Sequence, residues 1–325
     1  MLRSIWTAWR RRRLYRRCVS GPVRAVVLRY HSVGEPGAVA GYLDPGLSVP
    51  PQRFAEHLGI LGRRFTFRTM DELEAVLAGD GGPSAFVTFD DGYRDNREVA
   101  LPLLERAGAR ATFYVTTGPL RTRSGLWISE LARLVPRLRP GALSVAGRTL
   151  RVAEDRGART PLRRELTRVL AALPRPERER ALDRLAEAAG VARGEGLAGS
   201  FMTPDDVLAL RRAGMLVGAH TRSHPHLALL SAEHHEDEVS GSRRDLEEIL
   251  GEPVEHFAYP NPGGGGAVPD AAREAVRRAG FRTAVTSNPG PLEPGIDLLR
   301  IPRLGVYEGA QQAVLFSVLE DAATR

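Results

Sequence analysis

Four apolar runs of strand length each end in a polar cluster, and this repeated pattern limits the folds open to the chain. Ala25-Val26-Val27-Leu28 leads to Tyr30-His31, and Ala85-Phe86-Val87-Thr88-Phe89 leads to Asp90-Asp91-Gly92. Met215 to Ala219 leads to His220-Thr221-Arg222-Ser223-His224, and Val254 to Ala258 leads to Tyr259-Pro260-Asn261. Between the runs lie stretches of helical character, among them Pro51 to Gly62 with Phe54, Leu58 and Leu61 on one face. Alternating strand and helix signals predict an α/β fold with a parallel sheet, either open or closed into a barrel. In either form, functional groups gather just past the carboxyl ends of the strands.

Further strands are expected at Phe65 to Arg68, Ala111 to Val115 and Phe281 to Val285. Helices are expected at Asn96 to Ala107, Ala232 to Leu250 and Val268 to Ala279, and from about Gly309 onward. Thr203 followed by Pro204 reads as an N-cap and first helical residue. The alternation breaks between residues 118 and 200. That stretch reads as a helical insertion, with a hairpin near Leu143 to Val152, in a body spanning residues 21–325.

Charge is informative once located. All 46 basic side chains are arginine, and seven of them lie in residues 1–20, which contain no acid. The other 39 arginines balance 39 Asp plus Glu, so the basic character belongs to the tail and not to the body. No nucleic-acid partner is therefore expected, since such folds carry their basic face on the body. Absence of lysine removes Schiff-base chemistry and the Walker lysine. The single cysteine, Cys18, excludes an intrachain disulfide and a Cys-based zinc cluster. The tail at residues 1–20 interleaves Ile5, Trp6, Trp9, Leu14 and Tyr15 with arginines. It reads either as a disordered basic leader or as a segment on an anionic membrane surface. No apolar run is long enough to cross a bilayer, and the arrangement is not that of a secretory signal. A cytoplasmic, membrane-associated protein is the expectation.

Asp90 and Asp91 occupy a tight turn, where successive side chains point apart. The pair suits either a metal ligand beside a proton acceptor or a simple turn that starts the next helix. His220 and His224 can meet on one ion if their segment makes a single turn. One carboxylate and two imidazoles would leave coordination positions for water and substrate, as hydrolytic metal sites require; two ordinary loop histidines are the alternative. His234 and His235, in an acidic helical run, are expected to face solvent, and Trp127 to pack in a core.

Val87-Thr88-Phe89-Asp90-Asp91-Gly92-Tyr93, the His220–His224 pair and Phe257-Ala258-Tyr259-Pro260 together resemble the polysaccharide deacetylases of the NodB-homology type, carbohydrate esterase family 4. Leu28-Arg29-Tyr30-His31 also resembles branches of that family. The likeness covers about residues 24–120 and 200–308. It implies a distorted (β/α) barrel, often of seven strands, and hydrolytic removal of acetyl groups from sugars. By position, Asp91, His220 and His224 would hold a divalent metal, zinc by preference, and Asp90 would be the general base. Tyr259 and Asn261 fall in the oxyanion and substrate motif, where the backbone N–H of Asn261 takes the place of the family's tyrosine N–H.

Three departures stand out. The family's base-orienting arginine aligns with Ala258, its Asp–Trp pair has no counterpart near Thr286-Ser287, and its terminal histidine acid aligns with Arg303. Arg303 is expected to take over the orienting role, with His31 or Asp90 as proton donor, since arginine does not release its proton. The expected substrate is an N-acetylated sugar of a glycan, glycolipid or lipid-linked saccharide. The alternatives are an amide hydrolase for a non-sugar substrate and a non-catalytic sugar-binding protein.

Overall fold

A computed structural model describes residues 2–19, 24–35, 45–122, 125–197, 199–260, 268–307 and 309–323. Eight strands form one parallel sheet: β1 (Ala25–Tyr30), β2 (Thr66–Arg68), β3 (Ser84–Phe89), β4 (Thr112–Val115), β5 (Leu216–Ala219), β6 (His256–Ala258), β7 (Thr283–Val285) and β8 (Leu304–Gly305). Seven of them follow the order β7-β6-β5-β4-β3-β1-β8, and β2 pairs beside the first half of β3. The sheet curls until its edges share one segment. Ile301 bridges Val285 of β7, and Leu304, three residues on, pairs with Leu28 of β1. The expected seven-stranded distorted barrel is thus the observed architecture. Its seam strand, β8, gave no sequence signal because it has only two residues.

Alternation along each strand sorts side chains into two sets. Val26, Leu28, Tyr30, Val87, Phe89, Phe113 and Val115 face the surrounding helices in the main core. Ala25, Val27, Phe86, Tyr114, Ala258, Val285 and Ile301 fill the lumen together with Met70, Leu73 and Val76. Arg29 and Thr88 continue the lumen rows of Val27 and Phe86, so polar groups cap a dry interior at the carboxyl ends of the strands. Gly218 is required in β5, because a Cβ there would stand 2.6 Å from the Tyr114 ring and 2.8 Å from the His256 carbonyl oxygen.

Helices fall where expected, including Pro51–Gly62, His235–Leu250 and Asp270–Arg278. Thr203 caps Pro204–Arg212 in a capping box with Asp206. The insertion has its own core, built from Trp127, Leu131, Leu166, Leu170, Leu182 and Leu185 among others. Its hairpin pairs Gly141–Val145 with Arg148–Val152.

The N-terminal segment, read from the sequence either as a disordered leader or as a membrane-surface segment, packs on the body. Leu2–Val19 is a helix, and its Tyr15, Cys18 and Val19 are buried in the main core. Arg12 donates to Asp321 at 2.6 Å and to Ser317 at 3.3 Å, both on the C-terminal helix Ala310–Ala323. Leu14, Tyr15, Cys18 and Val19 give the described part of the helix a side that docks on the body. Among the described residues, no helix is long and apolar enough to cross a membrane.

Candidate active site

Asp90 and Asp91 leave the end of β3 in a turn that forces them apart. Asp91 has φ +77° and Gly92 φ +86°, a left-handed pair that turns successive side chains in different directions. Both aspartates are buried. The His220 N–H continues the β5 ladder by donating to the Val115 carbonyl at 3.0 Å. The chain then turns through Thr221 (φ +65°) and His224 (φ +55°), which brings the second imidazole back beside the first. Their ring centroids lie 5.0 Å apart.

The three groups converge. Nε2 of His220 lies 3.4 Å, and Nε2 of His224 3.1 Å, from Oδ1 of Asp91. Ligand atoms of all three lie within 4.8 Å of one another. His220 directs Nδ1 to the Ala258 carbonyl oxygen at 2.8 Å. A proton on that nitrogen leaves the Nε2 lone pair aimed at the cluster, the usual way a ligating histidine is oriented. Oδ1 of Asp91 is buried without a hydrogen-bond donor. A buried carboxylate oxygen faced by imidazole nitrogens is a donor set suited to a divalent cation of the zinc type.

Beside this cluster, Asp90 receives a two-pronged grip. Both terminal nitrogens of Arg303 stand 2.7 Å from its two carboxylate oxygens. Arg303 is itself fixed, donating to Thr88 Oγ1 at 3.0 Å and through Nε to the Thr286 carbonyl at 2.9 Å. Its guanidinium lies 5.6 Å from the Tyr114 ring centroid. Burial would raise the Asp90 pKa, but the Arg303 charge, aided by His220, more than offsets this and holds it at about 2. Asp90 is therefore a carboxylate throughout the neutral range.

His31 sits at the end of β1 within the field of Asp91, Arg29 and Asp90. Burial pushes its pKa down to about 4, so the ring is neutral near pH 7. A ring in that state holds no surplus proton to give. Tyr259 lines a groove with Leu227, Pro260, Thr286 and Asn288. Its N–H is committed to the Val285 carbonyl at 3.1 Å, which leaves only its buried hydroxyl for the groove. Asn261 lies outside the described residues.

Several neighbours escaped the sequence reading. Arg29 is buried beside Arg303 and donates to Ser287 Oγ and to the Tyr307 hydroxyl. The Trp127 indole N–H donates to the His224 carbonyl at 2.9 Å. Its apolar neighbours marked Trp127 as a core residue, and nothing local marked its polar edge. His235 is buried, not solvated, with Nε2 2.9 Å from the Leu227 carbonyl oxygen.

Comparison with known proteins agrees with this geometry. The family profile described as polysaccharide deacetylase matches residues 78–161 and 165–284, so the match runs through the insertion as well as the barrel. The putative polysaccharide deacetylase YxkH of Bacillus subtilis (strain 168) is 32% identical over 98 residues, which are 29% of this chain and 32% of that protein. The matched region thus spans about a third of that relative's length. Among solved structures, the Streptococcus pyogenes deacetylase PplD in complex with acetate superposes with a TM-score of 0.60 at 19% identity, covering 91% of this chain and 98% of that one. IcaB from Ammonifex degensii gives 0.56 at 20% identity, covering 91% and 97%. At these identities the structural matches speak for the barrel alone, while the family profile covers most of the chain. By that match, which includes both the Asp90-Asp91 turn and the His220–His224 loop, the chain belongs to the polysaccharide deacetylase family.

Proposed function

We propose that this protein is a metal-dependent hydrolase that removes acetyl groups from N-acetylated sugars in a glycan, glycolipid or lipid-linked saccharide. The observation that carries the reading is the pairing of two adjacent carboxylates with different partners. Asp91 faces two imidazole nitrogens, and Asp90 is clamped by a guanidinium.

Asp91, His220 and His224 would hold a divalent cation, zinc by preference given two nitrogen donors and one oxygen. When bound, it would supply Lewis acidity and lower the pKa of water. Asp90 is the general base: it is ionised, and Arg303 fixes both of its oxygens. Water attacks the acetamide carbonyl carbon while Asp90 takes its proton. The C–N bond then breaks, the amine nitrogen receives that proton, and acetic acid departs and ionises to acetate in solution. Asp90, protonated in the first step, is better placed to return that proton than His31, which burial keeps neutral. Arg303 stays charged throughout and serves as a positioning group. The Asn261 N–H is the proposed oxyanion donor, since Tyr259 spends its own N–H within the sheet.

The test is acetate release from N-acetylglucosamine oligomers, with metal analysis, on the wild type and on Asp90→Asn. Expected is chelator-sensitive release by the wild type and none by a variant that still carries metal. Turnover of a non-sugar acetamide in place of the oligomers would assign a different amide hydrolase. Binding of oligomers without chelator-sensitive turnover would assign a sugar-binding protein.

We further propose a cytoplasmic location with peripheral membrane contact through the arginine-rich helix. Arg10, Arg11, Arg13, Arg16 and Arg17 are exposed along it. Sedimentation with anionic but not neutral vesicles is expected, and unchanged sedimentation after deletion of residues 1–20 would refute the contact.

A further inference from the structure

The loop that carries His220 and His224 is held in a conformation that residues other than glycine avoid. Thr221 and His224 both have positive φ, and Thr221 is β-branched. Each such residue is strained and persists only where its surroundings over-determine it. The barrel supplies part of the restraint: the Thr117 N–H donates to the Thr221 carbonyl at 3.1 Å and the Gly118 N–H to the Arg222 carbonyl at 2.7 Å. Glu238, on helix His235–Leu250, accepts from the N–H groups of Arg222 (3.0 Å) and Ser223 (2.8 Å) and from the Ser223 hydroxyl.

Arg222 also donates to Asp245 at 2.8 Å, and the insertion adds a further grip. Trp127, 3% exposed at the start of helix Trp127–Leu134, donates its indole N–H to the carbonyl of His224 itself. Arg178, on helix Arg175–Ala189, has no exposed surface. It donates to the Ser223 carbonyl at 3.3 Å, to the Ser223 hydroxyl and to the Leu173 carbonyl at 3.2 Å. Its guanidinium lies 5.5 Å from the Trp127 ring centroid, so the two contacts form one unit. A buried guanidinium is costly to desolvate, and this one spends its hydrogen bonds on the ligand loop and on its own helix–helix turn.

We infer that the insertion is a working part of the metal centre: Trp127 and Arg178 are positioning residues that hold His224, and the loop from Thr221 to His224, in ligating geometry. The inference rests on the reading of Asp91, His220 and His224 as metal ligands. Outer partners of ligating histidines commonly govern metal affinity by 10–100-fold. Here the partner grips the backbone of the ligand and comes from a segment outside the barrel.

The experiment measures Zn2+ affinity by competition with a chromophoric chelator, and the visible absorption spectrum with Co2+. Full-length wild type, Trp127→Phe, Arg178→Met and His224→Ala are compared, with the melting temperature of each metal-free protein. Expected is wild-type binding of one ion and its loss in His224→Ala. Trp127→Phe and Arg178→Met should bind roughly 10-fold or more weakly, with altered Co2+ spectra and metal-free melting temperatures close to wild type. Wild-type affinity and an unchanged Co2+ spectrum in both variants would overturn the inference. So would a weakening that only follows a lowered melting temperature. Absence of metal binding by the wild type would instead overturn the ligand assignment beneath it. Should one variant fail to fold, the other reads the same unit through a different contact.

Discussion

Arg303 meets Asp90 through two parallel hydrogen bonds of 2.7 Å, in a position where neither side chain is open to solvent. The residues come from strand ends 213 positions apart, and the seam of the barrel makes them neighbours. The guanidinium that the resemblance led one to expect at Ala258 is supplied here by Arg303, on the segment that closes the sheet. The fork of the guanidinium matches the carboxylate, fixing the direction of the Asp90 side chain as well as its charge.

Replacing Arg303 should therefore harm both folding and turnover. Arg303→Met leaves Asp90 buried without its counter-charge, and about 3–5 kcal/mol of stability should be lost. Arg303→Lys keeps the charge but not the fork. It should keep most of the stability while kcat falls by roughly 100-fold, within the usual range for disturbed acid–base catalysis. Denaturant unfolding and acetate release measure the two effects, and a fully active Arg303→Lys would show that the fork is dispensable.

The two adjacent aspartates should separate cleanly by substitution. Asp90→Asn should retain metal and lose at least about 100-fold in kcat. Asp91→Asn should lose metal, because a neutral amide is a far poorer ligand than a carboxylate. Elemental analysis after gel filtration reads the difference, and metal loss in Asp90→Asn would exchange the two roles.

Stability should decline in mild acid through buried histidines outside the site. His57 stacks on Phe316 with ring centroids 3.5 Å apart, and its Nδ1 lies 3.2 Å from the Tyr30 hydroxyl. Burial lowers its pKa to about 3, and that of His256 to about 4, from 6.5. The unfolded chain thus binds protons that the folded chain refuses. The stability present above pH 6.5 is lost as pH falls below that value, by up to about 1.4 kcal/mol per pH unit for each group until the folded pKa is reached. Chemical denaturation between pH 7 and 5 should show the slope, and His57→Phe should remove its share of it.

Removal of the N-terminal helix should lower the melting temperature. Deleting residues 1–19 removes the buried Tyr15, Cys18 and Val19 from the main core. At about 1.5–3 kcal/mol for each large apolar side chain, several kcal/mol are at stake. Arg12→Ala should cost less than about 1 kcal/mol, since its pairing with Asp321 is largely exposed. A truncated protein that melts with the full-length chain would mean that the docked helix adds nothing to folding.

Much of this was legible along the chain. Strand and helix periodicity marked the barrel, and the Asp90-Asp91 and His220–His224 clusters marked its working end, because each is a local pattern tied to a strand terminus. The seam was not legible, since Ile301 bridges one edge and Leu304–Gly305 pairs with the other only once the sheet has curled. The N-terminal helix shows a different limit: its arginines gave charge and amphipathic character, but not the surface that receives it. By itself the sequence determined which groups exist and which strand ends carry them, because secondary structure and turn chemistry act over a few residues. Tertiary structure brought Arg303 onto Asp90 and both imidazoles onto Asp91, pairings that the family resemblance had anticipated by position, and it alone decided that Trp127 and Arg178 hold the loop. Those pairings depend on closure of a curved sheet and on packing between segments 45 to 213 positions apart, a distance over which no local periodicity carries information.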